Sequence, residues 1–159
     1  MSMGCDQTVL VVDDEQINRR ILRKLLEDNY NVIEAKNGEE AWRLISQKRN
    51  VINAVLLDII MPEVDGFAVL AKIRENRMED LPVIVTTGVT DFETEEKALD
   101  EGAWDFVSKP YNAKILASRL RSAIARSKMT SFERIQYLSE RDELTGFYNR
   151  RKMFLVTRN

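Results

Sequence analysis

The strongest constraint on this chain is an alternation. Five short runs of apolar and β-branched residues, at 8–12, 31–35, 54–57, 83–86 and 105–108, are separated by segments with helical spacing. Runs of this length, bounded by acidic, Gly or Pro residues, read as buried parallel strands. In the first intervening segment Ile17, Ile21, Leu22, Leu25 and Leu26 fall on one helical face, while Arg19, Arg20, Arg23 and Lys24 point away from it. Ala41, Leu44 and Ile45 mark a second helix, Phe67, Leu70 and Ile73 a third, and Ala98 with Leu99 a shorter, more polar fourth. Strict strand–helix alternation predicts an α/β fold: a parallel sheet covered by helices on both faces, because each parallel crossover needs a helix and is right-handed. Five strands suit the flavodoxin-like, doubly wound order 2-1-3-4-5.

Composition narrows the chemistry. The 159 residues are 44% hydrophobic and 31% charged, with a formal net charge of −2, so no global field points to nucleic acid or an anionic membrane. The single cysteine, Cys5, excludes a disulfide framework, and the absence of histidine excludes Cys/His zinc sites and Ser–His or Cys–His nucleophile pairs. Runs such as Val9–Val12 and Ala54–Leu57 are too short to span a bilayer, and no signal peptide precedes them; a cytoplasmic location is expected.

The charge is unevenly spread. Residues 1–125 carry 16 Lys+Arg against 22 Asp+Glu, and residues 126–159 carry 8 against 4. From Asn112 to about Asp142 there is no Pro or Gly, and Ile115, Leu116, Leu120, Ala123 and Ile124 make an apolar face. A helix of roughly 30 residues would extend about 45 Å, past the edge of a small domain. The expected organisation is a domain over 1–125, a helical linker over 126–141 and the start of a further domain over 142–159. The basic excess of the last segment, with sparse aromatics and no recognition-helix motif, suits a solvated linker better than a nucleic-acid surface.

In a sheet of this kind ligands bind outside the carboxyl ends of the strands. Asp13 and Asp14 follow strand one, Asp58 follows strand three, Thr87 and Gly88 follow strand four, and Lys109-Pro110 follows strand five. Three carboxylates, one hydroxyl and one ammonium thus converge on one edge. Carboxylates at close range repel unless a cation intervenes, and a hard divalent ion such as Mg²⁺ suits oxygen ligands. A carboxylate can also be the nucleophile towards a phosphoryl group, with Lys109 pairing one phosphoryl oxygen and Thr87 donating to another. Asp58, ending the central strand, is the expected phosphoacceptor; the adjacent Asp13 and Asp14 are better arranged to hold a metal together. Taken singly, each has a plainer reading. Asp13-Asp14-Glu15 could cap a helix, Asp58 could belong to a turn, Lys109 could be a solvated surface charge, and Asp65-Gly66 reads as a turn whatever the function.

These residues carry a resemblance. Val11-Val12-Asp13-Asp14-Glu15, Leu56-Leu57-Asp58, Met61-Pro62-Glu63-Val64-Asp65-Gly66, Val85-Thr86-Thr87-Gly88 and Phe106-Val107-Ser108-Lys109-Pro110 resemble the receiver domain of two-component response regulators over residues 8–125. The resemblance implies that Asp58 accepts phosphate from a sensor histidine kinase or phosphotransfer protein in a phosphorelay. It implies that Asp14, Asp58, the backbone carbonyl of Ile60 and, often through water, Asp13 hold Mg²⁺. Thr87 and Phe106 match the family's switch pair, and a cis peptide is usual before the proline matching Pro110. Gly88 replaces a commoner alanine and leaves room near the phosphoryl group. Ile60 and Val89, two residues after Asp58 and Thr87, are apolar where a polar side chain could orient a water, so slow autodephosphorylation is expected. A homodimer through helix four, strand five and helix five is the expected response to phosphorylation. The alternative is a phosphotransferase or phosphatase using an aspartyl intermediate. Such sites usually need an acid–base carboxylate where this chain has Ile60.

The tail carries a second resemblance. Asp142-Glu143-Leu144-Thr145-Gly146-Phe147-Tyr148-Asn149-Arg150-Arg151 is similar to the opening of GGDEF-type diguanylate cyclase domains. The signature G-G-[D/E]-E-F loop does not occur in the sequence, and Asn37-Gly38-Glu39-Glu40-Ala41 is a chance fragment. The chain is therefore expected to be non-catalytic and truncated within an output domain that the receiver part would control.

Overall fold

The computed structural model describes residues 6–59, 66–88 and 92–128. Five strands alternate with five helices: β1 (Thr8–Val12), α1 (Gln16–Leu26), β2 (Asn31–Ala35), α2 (Gly38–Gln47), β3 (Ile52–Asp58), α3 (Gly66–Glu75), β4 (Val83–Thr87), α4 (Phe92–Asp100), β5 (Asp105–Ser108) and α5 (Ala113–Ser127). All pairings are parallel and the sheet order is β2-β1-β3-β4-β5, as the alternation predicts. The compact unit that holds this sheet ends at Ile124.

Each face of the sheet has its own core. Leu10, Val12, Val55, Leu57, Val83 and Val85 pack with Ala41, Ile45, Val69, Leu70, Ile73 and Ala98, so α2, α3 and α4 cover one side. Val9, Val11, Ala54, Leu56, Ile84 and Val107 pack with Leu22, Leu26, Leu116, Leu120 and Ile124 on the α1–α5 side. The central strands are apolar on both faces, which is why they read as continuous runs rather than alternating ones.

Local signals agree with the ends of several helices. Asn37 caps α2, its side chain accepting from the Glu40 N–H, while the Glu40 carboxylate accepts from the Lys36 N–H. Past α4, Gly102 takes a φ of +116°, and the Gly102 and Ala103 N–H groups donate to Leu99 and Ala98 carbonyls. This left-handed stop, which glycine adopts without a Cβ penalty, turns the chain towards β5.

Three expectations need correction. β3 is longer than its apolar core, so Asp58 is the last strand residue rather than the first one beyond it, and Thr87 likewise closes β4. The first helix is apolar over a wider arc than it buries: Leu22 and Leu26 are buried, but Ile17 is 72% and Ile21 43% exposed. Arg19 and Arg23 do not point away; both reach Glu34 on β2, at 3.1 and 2.6 Å. The expected continuation of α5 into a linker, and residues 142–159, lie outside the described residues beyond Lys128.

Candidate functional site

β1, β3, β4 and β5 deliver their carboxyl ends to one edge of the sheet. Asp13 comes first. Its N–H donates to the Ala35 carbonyl at 3.1 Å, extending the β1–β2 ladder by one bond, and its side chain is 0% exposed. Asp13 Oδ1 accepts from the Glu15 N–H at 2.9 Å and lies 3.5 Å from Asn18 Nδ2. Glu15 is the residue at the cap position of α1 and makes no side-chain cap; its own N–H is satisfied by Asp13 instead. Asp13 Oδ2 is buried and makes no well-formed hydrogen bond among the described residues; Lys109 Nζ lies 3.3 Å away. Asp14 is exposed.

Asp58, only 5% exposed, places Oδ2 3.5 Å from the same Lys109 Nζ. Lys109 is itself held at the edge: its N–H donates to the Thr87 carbonyl at 2.8 Å, and the Lys109–Pro110 peptide is cis. Burial works against the charged ammonium, but Asp58 and Asp13, with a smaller share from Tyr111, outweigh it and hold Lys109 above its ordinary range. One ammonium thus bridges two buried carboxylates.

Thr87 is buried and its Oγ1 has no hydrogen-bond partner among the described residues. By strand alternation it shares the α2–α4 side of the sheet with Val83 and Val85. Phe106 stands on that side too, half-buried against the same core. The Arg119 guanidinium, paired with Asp105 at 2.7 Å, lies 5.8 Å from the Phe106 ring centre. A Cβ on Gly88 would meet nothing within 4 Å among the described residues. Ile60, the Met61–Asp65 segment and Val89 lie outside the described residues.

Carboxylate oxygens of Asp13, Asp14 and Asp58 all fall within 4.8 Å of one another. An all-oxygen cluster of three carboxylates, two of them buried and sharing a single ammonium, fits a hard divalent cation. Softer metals would call for nitrogen or sulfur donors.

The profile of the response regulator receiver domain matches residues 9–121. The chain belongs to that family. A probable transcriptional regulator, ycf27, of Porphyridium aerugineum is 39% identical over 121 residues, covering 76% of this chain and 49% of that protein. The chain therefore spans about half the length of the curated relatives it matches. A receiver domain protein from Clostridium thermocellum superposes with a TM-score of 0.72 at 32% identity, covering 77% of this chain and 97% of the other. A CheX–CheY–BeF3–Mg²⁺ complex from Borrelia burgdorferi contains a chain that superposes with a TM-score of 0.70 at 30% identity, covering 75% and 90% respectively.

In this receiver domain two residues near the site escape sequence reasoning. Gly66 opens α3 instead of sitting in a turn, and a Cβ there would lie 2.6 Å from the Asp58 carbonyl oxygen and 2.7 Å from Ile59 Cα. Tyr111 buries its hydroxyl beside Lys109. The Asp-Gly pair hinted at the first, for the wrong reason; nothing in the spacing signalled the second. Among the described residues no helix is long and apolar enough to cross a membrane.

Proposed function

We propose that this receiver accepts a phosphoryl group on Asp58 from a sensor histidine kinase or phosphotransfer protein. The observation that carries the reading is the Lys109 ammonium, 3.3 Å from Asp13 and 3.5 Å from Asp58. The Lys109 backbone is fixed at the strand edge by its N–H bond to the Thr87 carbonyl, which leaves the side-chain ammonium able to follow charge from carboxylate to phosphoryl group. An Asp58 carboxylate oxygen forms the new P–O bond as the bond from phosphorus to the donor breaks, the electron pair leaving with the donor atom. Lys109 pairs with a phosphoryl oxygen, and Thr87 Oγ1, buried and unpartnered, donates to another. Asp13, Asp14, Asp58 and the Ile60 carbonyl would hold Mg²⁺, which when bound neutralises charge on carboxylates and phosphoryl oxygens.

Signalling then follows from Thr87 and Phe106, which share one side of the sheet. Drawing the Thr87 hydroxyl to the phosphoryl group vacates space that the Phe106 ring can enter, altering the surface of α4, β5 and α5. That surface is the proposed homodimer contact. An output domain of diguanylate cyclase type is the proposed effector, on the strength of residues 142–151 alone. The Porphyridium relative is named a probable transcriptional regulator, which is the competing output. A G-G-[D/E]-E-F string in the full reading frame would decide for the cyclase, and a DNA-binding domain there would decide against it.

The site reading is tested by incubating the chain with a small-molecule phosphodonor and Mg²⁺ and weighing it. One phosphoryl group is expected on the wild type and none on Asp58→Asn; equal labelling of both overturns the assignment. Decay of the label reads the expectation from Ile60 and Val89, and loss within seconds would contradict it. Light scattering of the beryllofluoride-loaded chain reads the dimer, and an unchanged monomer mass counts against it.

A further inference from the structure

Arg19 and Arg23 repeat one arrangement with one difference. Each guanidinium donates through Nε to the Glu34 carboxylate and through a terminal nitrogen to a backbone carbonyl. For Arg23 that carbonyl is Val32, inside β2, at 3.1 Å. For Arg19 it is Asp13, at the acidic edge, at 2.7 Å. Side chains on a helix lean towards its N-terminus, so Arg19, in the first turn of α1, reaches back to the end of β1. A planar fork suits this double duty: Glu34 orients the plane, and the plane aims a second N–H at the carbonyl.

Asp13 is thereby held from several directions. Its N–H donates to Ala35, its Oδ1 accepts from the Glu15 N–H, its Oδ2 lies beside Lys109 and its carbonyl accepts from Arg19. Asp14 differs. It is exposed, and among the described residues no hydrogen bond or ion pair fixes its carboxylate. Its direction is set by the Asp13–Asp14 peptide plane, and the oxygen of that plane is the atom Arg19 holds.

We propose that Arg19, oriented by Glu34, is a positioning residue of the acidic site: by holding the Asp13 carbonyl it fixes the Asp13–Asp14 peptide and so presents the Asp14 carboxylate to a divalent cation together with Asp13 and Asp58. The inference rests on the reading of this cluster as a Mg²⁺ site. Charge argues in the opposite direction. A guanidinium bonded to Asp13 repels a cation, so by charge alone its removal would tighten Mg²⁺ binding. A loss of affinity on neutralising Arg19 therefore reports position.

The test compares the wild type with Arg19→Met and Arg23→Met, each of which leaves Glu34 one guanidinium. Mg²⁺ is titrated into each metal-free chain and followed by amide chemical shifts. Arg19→Met is expected to bind Mg²⁺ about tenfold more weakly, the low end of the loss when an outer partner of a metal ligand is removed. Arg23→Met is expected to stay within about twofold of the wild type, although it breaks the shorter of the two bonds to Glu34. Arg19→Gln, polar but too short to span from Glu34 to the carbonyl, is expected to lose as much as Arg19→Met and replaces it if that variant does not fold. Without metal, the Asp13 carbonyl carbon-13 resonance is expected to move in the Arg19 variants and to stay in Arg23→Met. Unchanged or tighter Mg²⁺ binding by the Arg19 variants, or equal losses at both arginines, overturn the proposal alone. A wild type whose amides do not respond to Mg²⁺ removes the metal reading, and the proposal with it.

Discussion

Gly66 sets the clearance around Asp58. Its N–H donates to the Ile59 carbonyl at 3.1 Å, and the absent side chain lets α3 start directly against the Asp58–Ile59 backbone. The neighbours a Cβ would strike are backbone atoms, which cannot swing aside as a flexible side chain can. Either α3 or the end of β3 has to move. Gly66→Ala is therefore expected to lower stability by about 2–3 kcal/mol, the upper part of the range for overpacking. A shift at the end of β3 would disturb the 3.5 Å placement of Asp58 against Lys109, so phosphoryl incorporation from a small-molecule donor should also slow. Urea midpoints with the slope unchanged measure the first effect, and labelling rates the second. A variant as stable as the wild type would show that the close approach relaxes at no cost.

At the scale of elements, the joint between α1 and β2 is electrostatic. Arg19 and Arg23, one turn apart, both close on Glu34, with side-chain exposures of 15%, 41% and 28%. Burial would raise the Glu34 carboxyl, but hydrogen bonds and charge from Arg23 and Arg19 outweigh it and hold it below the usual range. A carboxyl lowered on folding contributes stability above its unfolded value, near 4.5, and loses that contribution as pH falls through the folded value. With these groups partly exposed and screened, Glu34→Gln is expected to cost about 0.5–1 kcal/mol near neutral pH. The gap between variant and wild type should close in acid. Urea midpoints at about pH 7 and about pH 3 check this; a gap that widens in acid reverses the sign and rejects the account. Sequence reading assigned these arginines to solvent, because helical spacing shows which way a side chain leaves its helix and not which strand lies beside it. Asp13, Asp58, Thr87 and Lys109 were legible for the opposite reason. They occupy strand ends, and the topology of a parallel sheet gathers strand ends whatever the packing details. Tyr111 and the clearance at Gly66 depend on atoms brought together only by tertiary packing, and periodicity carries no trace of them.

Across the whole molecule, the site sets function against stability. Three carboxylates gather within 4.8 Å, two of them buried, and Lys109 is the ammonium paired with those two. Unfolding separates these charges, so the native state without a divalent ion carries repulsion that the unfolded chain does not. Removing a charge and adding a cation should therefore both stabilise the fold. Removing one charge by Asp58→Asn should raise the melting temperature in metal-free buffer, as substitutions that relieve a functional site commonly do. Adding a divalent ion should stabilise the wild type, because the unfolded chain has no preformed oxygen cluster to bind it. At a free Mg²⁺ concentration about 100 times its dissociation constant, the linkage amounts to about 2.7 kcal/mol. For a chain of this size that is a rise of roughly 5–10 °C in Tm. Asp58→Asn, with a neutral amide in the cluster, should show a distinctly smaller rise. Thermal melts of both proteins, with and without Mg²⁺, contain the whole test: the variant starts higher and gains less. If the two curves start together and rise together, the carboxylates are not held in mutual repulsion, and Asp58 is not a metal ligand in this fold.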